Sequence, residues 1–277
     1  MSAEAIAKPF LLTHDFRQTF DSLIGEGALF QKLISEARLT ARTDCRVLLI
    51  GEKGSGKATF ARSIHNESSR RHSPFRVLQC ATFQPTASRH PLRLSNQEGS
   101  ALQNDFHFDL PLGGTLYLDG VESLSRDAQT WLLRLLEASE VESLHQCHGI
   151  RDRQLRIIAG STKNLKEDLT AGRFRAELFY RLNVVSLHIP PLRYRREDIG
   201  ALTAHFVSMY AEKYGKTIQY MSEKTFEVLR TYLWPKNIEE MKKVLEQAII
   251  FAKDNTLHIE HIAQDHTDLP LQSQIHV

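Results

Sequence analysis

Two patterns of hydrophobic and polar positions divide the chain. From Leu29 to Thr40 apolar residues recur at helical spacing, and Arg46-Val47-Leu48-Leu49-Ile50 is a short apolar run leading straight into glycine. The implied order is strand, loop, then a helix starting near Lys57. Leu116-Tyr117-Leu118, after Gly113-Gly114, and Leu155-Arg156-Ile157-Ile158-Ala159 are two further strand patterns, separated by a helical stretch around 128–137. Strands alternating with helices predict an α/β fold, a parallel sheet covered by helices on both faces. After Pro190-Pro191 the pattern becomes helical. Ile199, Leu202, Phe206 and Met209 share one face, Phe226, Leu229 and Leu233 a second, and Met241, Val244, Leu245, Ala248 and Ile249 a third. The expected organisation is a leader or linker over 1–20, an α/β core over 21–190, a small all-helical domain over 191–264, and a polar tail over 265–277 without a helix-turn-helix.

Composition narrows the function classes. A hydrophobic content of 42% over 277 residues supports real cores, so disorder is not the default. Charges nearly cancel to +2, so a nucleic-acid partner has to be argued locally. Cys45, Cys80 and Cys147 are widely spaced and frame neither a disulfide scaffold nor a CxxC metal pair. With no apolar run long enough to span a bilayer and no h-region at the N-terminus, the chain reads as cytoplasmic, with no membrane partner.

The chemistry concentrates after the first strand. Gly51-Glu52-Lys53-Gly54-Ser55-Gly56-Lys57 lies between a strand and a helix, the context of a phosphate-binding loop. Glycines let backbone N–H groups face phosphate oxygens, the helix N-terminus adds positive potential, and Lys57 reaches the β and γ phosphates. Ala58 follows the lysine, so the usual hydroxyl for magnesium is missing. Leu116-Tyr117-Leu118-Asp119 is a strand ending in a carboxylate that can order a magnesium-bound water. Gly120 follows it and cannot position or deprotonate a water. Glu122 is close in sequence but, two residues further on, is expected to point elsewhere; it is the carboxylate through which a rearranged ATPase would work.

Gly113-Gly114-Thr115-Leu116-Tyr117-Leu118-Asp119, the block from Ala171-Gly172-Arg173-Phe174-Arg175 to Tyr180-Arg181-Leu182-Asn183-Val184, Pro190-Pro191-Leu192-Arg193 and Arg195-Arg196-Glu197-Asp198-Ile199 resemble the ATPase domain of bacterial enhancer-binding proteins that activate sigma-54 polymerase. The resemblance implies an AAA+ P-loop core with a helical lid, assembled as a ring with nucleotide sites between subunits. It implies ATP or ADP with magnesium as cofactors, held by Ile24 beside the adenine, by the loop from Gly51 through Glu52, Lys53, Gly54, Ser55, Gly56 and Lys57 to Ala58, and by Asp119, which also binds magnesium through water. It implies Arg175 and Arg181 as arginine fingers acting on the next subunit's nucleotide, a guanidinium fork suiting a transferring phosphoryl group.

The departures fall on chemistry. Gly120 replaces the family's Walker B glutamate, and Gln79 the asparagine that restrains it. Thr162 replaces the sensor I asparagine, and Glu239 the sensor II arginine, reversing charge near the phosphates. Between Cys80 and Gly113 the sigma-54-gripping GAFTGA loop is absent, so sigma-54 remodelling is not expected. The reading is a nucleotide-binding regulator of transcription with little or no ATP hydrolysis. Its partners would be copies of itself or of a related AAA+ protein, and RNA polymerase or another regulator, with DNA reached only through another domain or partner. The alternatives are an active ATPase, a pseudo-ATPase interaction module, and a cyclic-dinucleotide-responsive regulator, for which only Arg62 and the stretch 20–25 speak. His145, Cys147 and His148, and His258 with His261, read as surface histidines rather than metal ligands. The clusters Arg70-Arg71-His72 and Arg193-Tyr194-Arg195-Arg196 read as solvated helix ends.

Overall fold

The computed structural model describes residues 18–83, 85, 113–144 and 155–258. The expectations for 1–17, for most of 81–112, for His145, Cys147, His148 and His261, and for 265–277 lie outside these residues. In chain order the elements are α1 (Ala28–Ala41), β1 (Val47–Ile50), α2 (Lys57–Asn66), β2 (Phe75–Gln79), β3 (Thr115–Asp119), α3 (Arg126–Leu144), β4 (Arg156–Ser161), α4 (Lys166–Thr170), α5 (Ala176–Leu182) and β5 (Val185–His188). There follow α6 (Ile199–Lys213), β6 (Tyr220–Met221), α7 (Glu223–Thr231), α8 (Asn237–Phe251) and β7 (Thr256–Leu257).

The five core strands form one parallel sheet in the order β2-β3-β4-β1-β5. The three central strands are those with continuous apolar runs, as a strand covered on both faces requires. The edge strands β2 and β5, half exposed and mixed in polarity, carry no such signature, and the sequence did not announce them. Because successive side chains leave a strand on opposite faces, Leu48, Leu116, Leu118, Ile157 and Ala159 join Leu132 and Leu136 of α3 and Leu178 of α5. Val47, Leu49, Tyr117 and Ile158 join Phe30 and Ile34 of α1 and Phe60 and Ile64 of α2 on the other face. At roughly 1.5–3 kcal/mol for each large apolar side chain fully buried, these two layers outweigh any surface ion pair. Parallel β1, β3 and β4 all end on one edge, and from it emerge Gly51, Gly120 and Thr162. Such an edge is where ligands bind in open α/β sheets.

The second unit is helical, with a two-residue parallel pair, β6 and β7, added to the expected helices. Ile199, Leu202 and Phe206 of α6 pack on Met241, Val244, Leu245, Ala248 and Ile249 of α8, and Leu229 of α7 closes the cluster. Leu233 departs from its expected face. Helix α7 ends at Thr231, Leu233 is exposed, and Trp234 takes the interior place at a backbone φ of +50°. The indole offers more apolar area and satisfies its one donor, Nε1, on the Leu229 carbonyl at 2.9 Å.

Candidate functional site

Between β1 and α2 the chain turns through 51–57, with Gly54 at φ +75° and Gly56 at φ +100°, conformations that glycine adopts without strain. Gly51 N–H donates to the Ser161 carbonyl at 3.1 Å, anchoring the loop to the sheet. Lys57, the first residue of α2, is buried, and its Nζ donates to the carbonyls of Gly51 at 2.8 Å and Glu52 at 3.0 Å. Burial lowers its pKa, and the negative charges of Asp119 and Glu122 act in the opposite sense. The Ser55 hydroxyl is buried without a hydrogen-bond partner. Loop amides, a helix N-terminus and a buried ammonium form a cradle whose chemistry suits phosphate.

The side chain of Glu52 turns away from this cradle and ties it to the helical unit. Arg193 grips it with two bonds, at 2.7 and 2.5 Å, which holds its carboxyl below the usual carboxylate range. Asn237, fully buried at φ +55°, donates to Glu52 Oε2 at 3.2 Å and to the Lys53 carbonyl at 3.0 Å, and accepts from Leu192 N–H at 2.7 Å. Ile238 N–H reaches the Gly54 carbonyl at 3.1 Å. A Cβ on Gly54 would collide with the Lys236 carbonyl oxygen. The loop is therefore clasped from the far side. Sequence reasoning placed Glu52 in the site but missed this clasp. The only available signal was Asn237 itself, a residue type that tolerates left-handed backbone.

On the other side, Asp119 ends β3 and accepts from the Tyr117 hydroxyl at 3.1 Å. Gln79 lies opposite it in the β2–β3 register. Gly120 adopts φ +75° and opens a 3₁₀ turn over Val121–Ser123, closed by Ser123 Oγ on the Gly120 carbonyl at 2.6 Å. This turn corrects one expectation. Glu122 does not point elsewhere; it lines the same cavity as Lys57 and Asp119, and its Oε1 accepts from Thr162 N–H at 3.0 Å and Thr162 Oγ1 at 2.5 Å. Its Oε2 is buried with no partner. The nearby Cys80 thiol is pushed up to about 12, mainly by burial, and is chemically quiet.

These groups surround a cavity of about 640 Å³, within the range of small-molecule sites. Its polar lining comes from Lys53 to Lys57, Asp119, Glu122 and Thr162, and its apolar lining from Leu23, Ile24, Phe30, Leu202 and Phe206. Glu239 lies against Gly54, and Lys242, one turn further along α8, also lines the space. Two carboxylates, Asp119 and Glu122, could meet a cation bound with phosphate; Ala58 offers no hydroxyl. Arg175 and Arg181 are not brought into this cavity. Arg175 caps α5, its N–H on Gln129 Oε1 at 2.9 Å, and Arg181 lies 3.5 Å from Glu137 and 3.6 Å from Glu177.

The basic clusters are not merely solvated. Arg70 is buried on Asp44 and the Gly113 carbonyl, and Arg195 is buried on Asp198, the Ile24 carbonyl and the face of Phe30. Asp198 in turn accepts from the N–H groups of Glu26 and Gly27, fixing the segment that carries Ile24. Arg62 stacks on Phe75, and Asp21 pairs with Arg38. Among the described residues no group of three His, Cys, Asp or Glu side chains is placed to hold a metal, and no helix is long and apolar enough to cross a membrane.

The profile of the sigma-54 interaction domain matches residues 23–188, and that of an AAA+ ATPase lid domain matches 193–274. The phenol regulator MopR of Acinetobacter guillouiae is 35% identical over 256 residues, 91% of this chain and 45% of its own length. The transcriptional regulatory protein XylR of Pseudomonas putida is 36% identical over 245 residues, 86% and 43% respectively. The chain thus spans less than half of these relatives. The crystal structure of NtrX from Brucella abortus in complex with ATP superposes with a TM-score of 0.71 at 29% identity, covering 87% of this chain and 54% of that one. With its phosphate loop, parallel sheet and helical lid, the chain belongs to the sigma-54 interaction domain family of AAA+ proteins.

Proposed function

We propose that this chain is a nucleotide-binding AAA+ regulator of bacterial transcription in which ATP or ADP occupancy sets assembly. The observation that carries the reading is the buried Lys57 ammonium, held where a glycine-rich loop meets its helix, in a cavity with both polar and apolar lining. Phosphates would lie on Lys57 and the amides of 53–58, the base against Ile24 and Phe206, and magnesium near Asp119. The solved complexes of NtrX with ATP and with ADP lend support by likeness. Arg175 and Arg181, outside the chain's own cavity, would report nucleotide to a neighbouring copy or a related AAA+ subunit. The missing GAFTGA loop argues against sigma-54 remodelling, so the output would run through another contact with polymerase or a second regulator. Gly120 and Glu239 argue for slow turnover and modest affinity.

A thermal-shift titration with ATP, ADP and a cyclic dinucleotide in magnesium, alongside Lys57→Ala, tests this. At a hundredfold excess over Kd a ligand adds about 2.7 kcal/mol, a shift of several degrees. The expected result is a shift with ATP that Lys57→Ala abolishes. No shift with any nucleotide would leave an interaction module, and a shift with the cyclic dinucleotide alone would replace the reading.

A further inference from the structure

We infer that Glu122 is the water-activating carboxylate of this site, parked on Thr162 until nucleotide arrives. The inference rests on the nucleotide-binding reading and goes beyond it by assigning the hydrolytic group and its restraint. Gly120 follows the strand-end Asp119 and continues the ladder, its N–H on the Gly160 carbonyl at 3.0 Å, and then turns left-handed at φ +75°. The tight turn that follows places the carboxylate of the third residue after Asp119 in the cavity lining, where the first offers only backbone. Gly120 carries no side chain, and the left-handed turn it opens leads to Glu122, whose carboxylate lines the cavity.

Glu122 is held through one of its two oxygens. One oxygen receives two bonds from Thr162, at 3.0 and 2.5 Å, while the other is buried with no partner. A carboxylate kept in this way is restrained and poorly satisfied, because a buried oxygen left without a donor loses its hydration. Reorientation of Glu122 toward the Lys57 side of the cavity would give Oε2 a water to accept from. A phosphate chain on Lys57 would draw that ammonium off the Gly51 and Glu52 carbonyls and change the field that Glu122 feels, since the two charges already interact.

In the step assigned to it, Glu122 takes a proton from a water whose oxygen bonds to the γ-phosphorus. The bond from that phosphorus to the β–γ bridging oxygen breaks, its electron pair leaves on ADP, and the proton passes from Glu122 to bulk water. Thr162 is a positioning residue: it touches Glu122 and restrains it.

The test uses the full chain with ATP and magnesium, and reads both phosphate release and the identity of the nucleotide kept after desalting. Glu122→Gln is expected to reduce release by about 100-fold or more while still retaining ATP. Thr162→Val is expected to raise release about tenfold and to retain ADP; Thr162→Ser, which keeps the hydroxyl, should restore the restraint and release more slowly than Thr162→Val. Unliganded melting temperatures within about a degree of wild type exclude a fold defect in each variant. Release by Glu122→Gln at the wild-type rate overturns the inference while leaving nucleotide binding intact, as does a wild-type chain and Thr162→Val variant that both bind ATP yet never release phosphate. A fall in release with Thr162→Val overturns the parking role. Failure of every protein to retain any nucleotide overturns the inference together with the reading it rests on.

Discussion

On one side of the cavity the phosphate loop meets the helical lid with its donors and acceptors largely matched: Glu52 with Arg193 and Asn237, Gly54 with Ile238, Lys57 with two loop carbonyls. On the other side the strand-end carboxylates are loosely provided for, with Glu122 leaning on a single threonine and one of its oxygens unpartnered. The first side works largely through backbone geometry at Gly54 and Asn237, which few residue types adopt without strain. The second works through a side chain that the turn at Gly120 brings to the cavity. A carboxylate absent at position 120 is thus not absent from the cavity.

That contrast can be broken most severely at Gly54. An alanine there meets the Lys236 carbonyl and must hold φ +75°, so Gly54→Ala is expected to lower stability by about 4 kcal/mol, from left-handed strain and overpacking together. Urea denaturation would read this as a large fall in midpoint; an unchanged midpoint would mean that loop and lid are not clasped as described.

Helix α2 is also tied to β3 by His65, whose Nδ1 lies 2.8 Å from Oγ1 of Thr115, at the end of that strand away from Asp119. Burial, with the Arg156 guanidinium nearby, lowers the His65 pKa to about 4 from an ordinary 6.5. Between these values the unfolded chain binds the extra proton and the folded one does not. Stability therefore falls as pH drops from 6.5 toward 4, by about 1.4 kcal/mol per unit. Denaturation midpoints at pH 7, 6 and 5 should show this slope, and His65→Gln should flatten it by one proton. An unaltered slope in the variant would assign the acid sensitivity elsewhere.

The smallest effect is expected at Gly120. A Cβ there meets only Ser123 Oγ, at 3.6 Å, so Gly120→Ala has room and suffers backbone strain alone, about 1 kcal/mol. A change near zero would show that the turn presenting Glu122 does not depend on the glycine.

Much of the architecture was readable because it is written in local spacing. The apolar runs at 47–50, 116–118 and 155–159 marked the central strands, the glycines at 54 and 56 marked the phosphate loop, and the helix faces marked the lid. The edge strands β2 and β5 escaped because half-exposed strands mix polar and apolar residues. Leu233 was misplaced because periodicity does not know where a helix stops or that Trp234 competes for the same space.

By itself the sequence determined the family, the parallel α/β core with its helical lid, and the phosphate loop, since each depends on residue type at fixed short separations. Only the tertiary structure decided that Glu122 faces the cavity, that Glu52 belongs to the lid clasp, and that Arg195 is buried rather than free. The first two depend on partners 40 and 185 residues away, Thr162 for Glu122 and Asn237 for Glu52, and the third on the Ile24 carbonyl, 171 residues from Arg195. A side chain's direction is set by which distant donor the fold delivers to it, and no local pattern carries that information.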